Sequence, residues 1–133
     1  MGNQDAVQLS IEDTIATVLL NRPEALNALN PDIWFGLQKA AQAIKENPNV
    51  NVAIITGAGD KAFSVGMDLK VIAAGGGVPD ALFSQYRKGY DPLYSLKTIL
   101  TMYEELAVPA LAVINGYCLG GALEITLCCD IRL

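Results

Sequence analysis

Short, β-branched apolar runs alternate along this chain with stretches in which apolar residues return every third or fourth position. Residues 6–10 and 14–20 are two such runs, separated by Glu12-Asp13. They predict two strands joined by a short turn, and the second, TIATVLL, is nearly continuously apolar, as a buried strand should be. Asn21-Arg22-Pro23 ends that strand, because proline restricts its own backbone and the residue before it. Asn30 can then cap a helix with Pro31 at its first position and Asp32 in its first turn. Ile33, Leu37, Ala40, Ala41 and Ile44 fall on one face of that helix, which stops near Asn47-Pro48.

Residues 52–56 (VAIIT) predict a short buried strand, and residues 57–60 (GAGD) a loop. The segment from Phe63 to Gly66 leads into a short helix beginning near Asp68. Gly75-Gly76-Gly77 is a flexible break. Residues 79–106 read as mainly helical, with Leu82, Tyr86, Tyr90 and Leu93 at helical intervals and Pro92 kinking or interrupting them. Residues 110–114 predict another strand, followed by Asn115-Gly116, the pair Gly120-Gly121, and a helix over residues 122–129. Asp130 to Leu133 resembles a strand just beginning. A unit of strand, glycine-rich loop and short helix thus occurs after Thr56 and again after Ile114. Such alternation predicts an α/β fold.

With 133 residues, 52% of them hydrophobic, the chain is long enough and apolar enough for one domain with a real core. Its formal net charge is -5 and no Lys/Arg cluster occurs, so neither nucleic acid nor an anionic membrane is an expected partner. No apolar run is long enough to span a bilayer. The first residues, MGNQDAVQLSIED, have neither the basic start nor the apolar stretch of a signal peptide, and no arginine to suggest a presequence. Ala6 occupies the position where a myristoylation pattern needs Ser or Thr. The expected location is cytoplasmic. The chain has no histidine, and Cys118, Cys128 and Cys129 form no Cys-x-x-Cys pair. A zinc site, a Ser-His-Asp triad and a Cys-His dyad are therefore not expected, nor is any metal. The cysteines read as buried free thiols.

Glu124 stands out in ALEITLCC, where its neighbours are apolar apart from Thr126. A carboxylate there either occupies an exposed face or is placed for proton transfer, since burying it unpartnered costs several kcal/mol, on the order of the penalty for an unpaired ion. Gly120 and Gly121 precede it at a helix N-terminus, where backbone N–H groups lack intrahelical acceptors and negative charge is favoured. Glu124 projects one turn along the same helix, which sets a base beside an anion-stabilising donor. That combination suits chemistry in which negative charge grows on a carbonyl oxygen while a proton moves nearby. A second donor is required. FSVGMDLK (residues 63–70) repeats the pattern of strand, glycine and helix start, and offers the Met67 N–H, with the Asp68 side chain as a helix cap.

Three blocks, NRPEALNALN (residues 21–30), AIITGAGDKAFSVGMDLK (residues 53–70) and PALAVINGYCLGGALEITLCCDIRL (residues 109–133), closely resemble the crotonase superfamily (the enoyl-CoA hydratase/isomerase family), in that family's order and spacing. The resemblance implies a spiral of strand-strand-helix units that binds acyl-CoA, over residues 1–133 as the N-terminal portion of a longer enzyme. It places the N–H groups of Met67 and Gly121 in an oxyanion hole and makes Glu124 the first of two catalytic glutamates. Ala25, Leu26, Val65, Met67, Asp68, Leu69 and Gly121 fall where the family binds CoA and its pantetheine arm, largely through backbone atoms. Lys61 and Lys70 either meet CoA phosphates or are solvated. Tyr86, Tyr90, Tyr94 and Tyr103 either line the acyl pocket or belong to ordinary packing. The second glutamate is expected beyond Leu133, as is the helical part that builds a homotrimer or hexamer, so the chain alone is expected to show little turnover. No separate cofactor is implied, because coenzyme A is part of the substrate. The implied reaction is hydration of a 2-enoyl-CoA, as in fatty acid metabolism. The alternatives are isomerisation or another family reaction, or a non-catalytic CoA-binding fragment.

Overall fold

In a computed structural model, residues 5–74 and 92–133 are described, the side chains of residues 92–95 excepted. Strands β1 (Val7–Glu12) and β2 (Ile15–Leu20) pair antiparallel from Val7 opposite Leu20 to Glu12 opposite Ile15. This register moves the turn one residue on, to Asp13-Thr14, and Asp13 takes a left-handed backbone at φ 54°. A short polar side chain tolerates that conformation better than most. Strand β2 is buried on one face only: Ala16, Val18 and Leu20 are buried while Ile15 is exposed. Its continuous apolar run reflects a second face that is half covered.

A 3-10 turn (Pro23–Ala25) leads to helix α1 (Pro31–Glu46). The Asn30 side chain accepts the Ile33 N–H at 3.0 Å, closing the helix start as the sequence predicts. All five residues of the predicted stripe are buried, and Trp34 joins them. Strands β3 (Val52–Gly57) and β4 (Ala62–Ser64) and helix α2 (Leu69–Ala73) follow. Helix α3 (Pro92–Glu104) precedes β5 (Ala110–Val113), β6 (Tyr117–Cys118), helix α4 (Gly121–Leu127) and β7 (Ile131–Arg132).

Two sheets result. The larger has the order β1-β2-β3-β5-β7, and every pairing after the first hairpin is parallel. Strands β4 and β6 form a separate parallel pair. Each glycine-rich unit therefore sends one strand to the large sheet and the next to the small one before its helix begins, as β3-β4-α2 and then β5-β6-α4. This is the α/β arrangement of strand-strand-helix units. At two and three residues, β6 and β4 are too short for alternation to announce them.

Helix α3 is described from Pro92, the residue expected to kink or interrupt the helical stretch, and the first turn of a helix is where its missing N–H removes no helical bond and its fixed φ already fits. Residues 75–91, with Leu82, Tyr86 and Tyr90, lie outside the described residues, as do the side chains of Leu93 and Tyr94. Tyr103 is buried and its hydroxyl donates to the Leu37 carbonyl at 2.8 Å, which ties α3 to α1 in the core. Burial pushes its phenol far above the usual range. Among the cysteines, all free, only Cys129 is buried; Cys118 and Cys128 are half-buried. Helix α4 turns Ala122, Ile125 and Thr126 inward, and that leaves Cys128 at the cap, partly in solvent. Burial is the main reason the Cys129 thiol is pushed up to about 12. Among the described residues no helix is long and apolar enough to cross a membrane, and no cluster of His, Cys, Asp or Glu could hold a metal ion.

Candidate functional site

The parallel register of β4 and β6 sets the loops that leave them side by side. Gly66 ends one loop with φ 85°, and Gly120 caps α4 with φ 54°. Both values favour glycine. The contact is close: a Cβ added at Gly66 would lie 2.6 Å from the Leu119 carbonyl oxygen and 3.2 Å from the Gly121 nitrogen. Met67 and Gly121, predicted to act together from separate motifs, are therefore neighbours. A Cβ added at Gly121 would lie 3.8 Å from the Met67 Cγ. Helix α4 begins at Gly121 and not at Ala122, which makes the Gly121 N–H the first of the helix.

Most N–H groups around these two are engaged. Val65 donates to the Leu26 carbonyl at 3.2 Å, Gly66 to Ser64 Oγ at 3.1 Å and Asp68 to the Leu29 carbonyl at 3.0 Å. On the facing loop, Leu119 donates to Ser64, Ala122 to Leu119 and Leu123 to Gly120. The N–H groups of Met67 and Gly121 have no protein acceptor among the described residues. Two free donors on touching loops can hold one oxygen that carries negative charge.

Glu124 lies one turn along α4, on an exposed face that it shares with Leu123 and Leu127. The structure places this carboxylate on the exposed face, open to water, where it needs no buried partner and stays available for proton transfer. The opposite face carries the buried residues, so the apolar sequence around Glu124 belongs partly to surface. Its negative charge, together with that of Glu104, adds to burial in raising the Cys128 thiol above its ordinary value.

The other predicted residues gather along the Met67 loop. Ala25 ends the 3-10 turn and Leu26 follows at φ 50°; both are half-buried, as is Val65. Asp68 caps α2 by accepting the Lys70 N–H at 3.1 Å, as expected, and it also meets Arg22 Nη1 at 3.1 Å. Leu69 is 77% exposed beside them. Lys61 and Lys70 are exposed, with no side-chain partner among the described residues. Lys61 also lines a recess of about 230 Å³ with Pro23, Leu26 and Asn27. A wider recess, about 830 Å³ and lined by Val7, Leu9, Phe35 and Gly36 among others, contains none of the predicted residues.

Sequence reasoning assigned no role to Arg22, Asn27 or Asn115. Asn27 is fully buried with φ 55°. Its Oδ1 accepts the Arg22 N–H at 2.9 Å, and its Nδ2 donates to the carbonyls of Ala58 at 3.0 Å and Ala62 at 2.9 Å. Asn115 grips the same loop from the other side through the carbonyls of Gly57 and Gly59, both at 2.7 Å. The available signal was an asparagine in an apolar segment where the chain must turn left-handed. Asn27→Ala strands one buried and two part-buried backbone groups, a buried one costing roughly 1–3 kcal/mol when left unpaired and the others less. A loss of about 2–3 kcal/mol is expected, read as a lower denaturation midpoint.

Arg22 holds the Asp68 carboxyl below its ordinary value, first by its hydrogen bond, while burial opposes this and the Lys70 N–H assists. A carboxylate with a lowered folded-state pKa stabilises the fold above its unfolded value and loses that contribution as pH falls through the folded value. The stability gap between the protein and its Asp68→Asn variant is expected to hold from neutral pH down to 3.8 and to narrow below it. Denaturant titrations at several pH values check this; a gap unchanged in strong acid would contradict it.

A family model described as enoyl-CoA hydratase/isomerase matches residues 10–133. The chain is 34% identical over 127 residues to (E)-benzylidenesuccinyl-CoA hydratase of Thauera aromatica, covering 96% of this chain and 46% of that protein. It is 33% identical over 125 residues to crotonyl-CoA hydratase of Syntrophomonas wolfei, covering 94% and 45%. Among solved structures, an enoyl-CoA hydratase from Bacillus anthracis superposes with a TM-score of 0.79 at 33% identity, over 97% of this chain and 46% of that one. The chain thus spans just under half the length of each.

Proposed function

The chain belongs to the enoyl-CoA hydratase/isomerase family, and we propose from that premise that it supplies the substrate-binding and oxyanion-stabilising half of an enoyl-CoA hydratase. One observation carries the reading: two N–H groups without protein acceptors among the described residues lie on loops in contact, and one of them, that of Gly121, opens the helix that bears Glu124 one turn on. In the proposed reaction Glu124 takes a proton from water as the oxygen attacks C3 of a 2-enoyl-CoA. The double-bond electrons move onto the thioester oxygen, which Met67 and Gly121 hold as an enolate. Carbon C2 then takes up a proton from a second acid, a role the family resemblance assigns to a glutamate outside these 133 residues. The loops bearing Ala25, Leu26, Val65, Asp68 and Leu69 would receive the CoA portion through their backbones. A cytoplasmic location and assembly into trimers or hexamers belong to the same proposal.

The test is to supply crotonyl-CoA to the full-length product of the gene that encodes this chain. The expected result is loss of the conjugated-thioester absorbance with an equal yield of 3-hydroxyacyl-CoA. Migration of the double bond without uptake of water, or binding without turnover, would each replace the hydratase reading.

A further inference from the structure

The direction of the Met67 N–H is not fixed by Met67 itself. Residues 29 and 67 form an isolated parallel bridge. Leu29 donates to the Gly66 carbonyl at 2.8 Å and accepts the Asp68 N–H at 3.0 Å. In a parallel pairing, the residue bracketed by two such bonds turns its own N–H away from the partner strand. The Leu29 backbone therefore determines where the Met67 N–H points. Yet Leu29 follows Leu26 at φ 50° and Asn27 at φ 55°, two successive residues in the left-handed region. Such backbone costs roughly 1–2 kcal/mol per residue and persists only where other contacts hold it.

One guanidinium spans the bridge. Arg22 Nη1 donates to the Ala28 carbonyl at 2.7 Å and to Asp68 Oδ2 at 3.1 Å. Ala28 immediately precedes one bridge residue and Asp68 immediately follows the other. The second Asp68 oxygen accepts the Lys70 N–H, so both carboxylate oxygens are engaged. The Asp68 side chain is only 11% exposed and that of Arg22 21%, so water competes weakly for the pair. A pair so shielded restrains geometry more firmly than a surface ion pair does.

We propose that Arg22 and Asp68 are positioning residues that aim the Met67 N–H at the thioester oxygen. Their side chains act through the bridge of Leu29 to Met67 and do not themselves contact the substrate. The inference rests on the oxyanion reading above.

The test uses Arg22→Met, Arg22→Lys, Asp68→Asn and the double variant Arg22→Met/Asp68→Asn in the full-length gene product. Two quantities are read: steady-state hydration of crotonyl-CoA, and the infrared carbonyl stretch of a bound, carbonyl-labelled 2-enoyl-CoA. Losing an entire oxyanion donor costs about 10²–10³ in kcat, so a misaimed donor is expected to cost about 10–100-fold. KM should stay within about twofold, since uniform binding is not what is lost. The carbonyl stretch, lowered on binding to the unmodified protein, should move back toward its free value. The double variant should lose little more than either single one, because both act through one contact. Arg22→Lys keeps a cation within reach of both partners and should lose less than Arg22→Met. Unchanged kcat, a rise in KM alone, or an unmoved carbonyl stretch in folded variants would overturn the proposal. Should Asp68→Asn fail to fold, the comparison of Arg22→Lys with Arg22→Met decides by the same readouts. If the unmodified protein neither hydrates the substrate nor shifts its carbonyl, the oxyanion reading itself falls, which separates the two failures.

Discussion

Replacing Glu124 with glutamine in the full-length gene product is expected to lower kcat for the proposed hydration of a 2-enoyl-CoA by about 10²–10⁴, the usual contribution of a positioned general base. Glutamine keeps the length and shape of the side chain but cannot take a proton from water. The two other quantities should hardly move. Stability should hold, because Glu124 is on the exposed face of α4 and its side chain makes no hydrogen bond among the described residues. A carboxylate in the first turn of a helix contributes only about 0.3–1 kcal/mol through the helix dipole. Affinity for CoA should hold as well, since the proposed groove is built from other loops. Thermal unfolding, CoA titration and progress curves of hydration check the three parts. Near-normal hydration by the variant would sink the assignment of Glu124.

The positions proposed for this carboxylate and for the two N–H donors were legible in the sequence for different reasons. Gly66 and Gly120-Gly121 marked places where the backbone turns sharply at a helix start, and the structure gives two of them a positive φ. Helix α1 was legible almost to the residue, because five apolar positions at one spacing and an Asn-Pro start are mutually consistent signals. The exposure of Glu124 was not legible, since an apolar sequence surrounds a side chain equally well on a surface helix face. Least legible was the polar framework. Arg22 and Asp68 are 46 positions apart, and Asn27 reaches Ala58 across 31. Periodicity reports only neighbours along one element, so partners joined by topology leave no local trace. The same limit hid the β4 and β6 pairing, which nevertheless brings the loops bearing Met67 and Gly121 together.

Gly66→Ala is the other substitution expected to have a large effect, and its effect separates into two parts. At φ 85° a methyl group makes the backbone strained, at a cost of about 1–3 kcal/mol. The added Cβ would also fall 2.6 Å from the Leu119 carbonyl oxygen and 3.2 Å from the Gly121 nitrogen. Both are backbone atoms, in the loop before α4 and at its first residue, so the contact is relieved only by pushing the two loops apart. That displacement separates the Met67 and Gly121 donors, and kcat of the full-length gene product is expected to fall about 10²–10³, as for loss of one donor. Gly59→Ala isolates the first part. Gly59 has φ 84°, nearly the same backbone, but a Cβ there meets only Pro23 Cβ at 3.4 Å. It should destabilise the fold by a similar amount while largely retaining kcat. Equal losses of kcat in the two variants would mean that backbone strain alone explains Gly66. A large loss confined to Gly66→Ala would mean that catalysis depends on how closely the loop before α2 approaches the loop before α4.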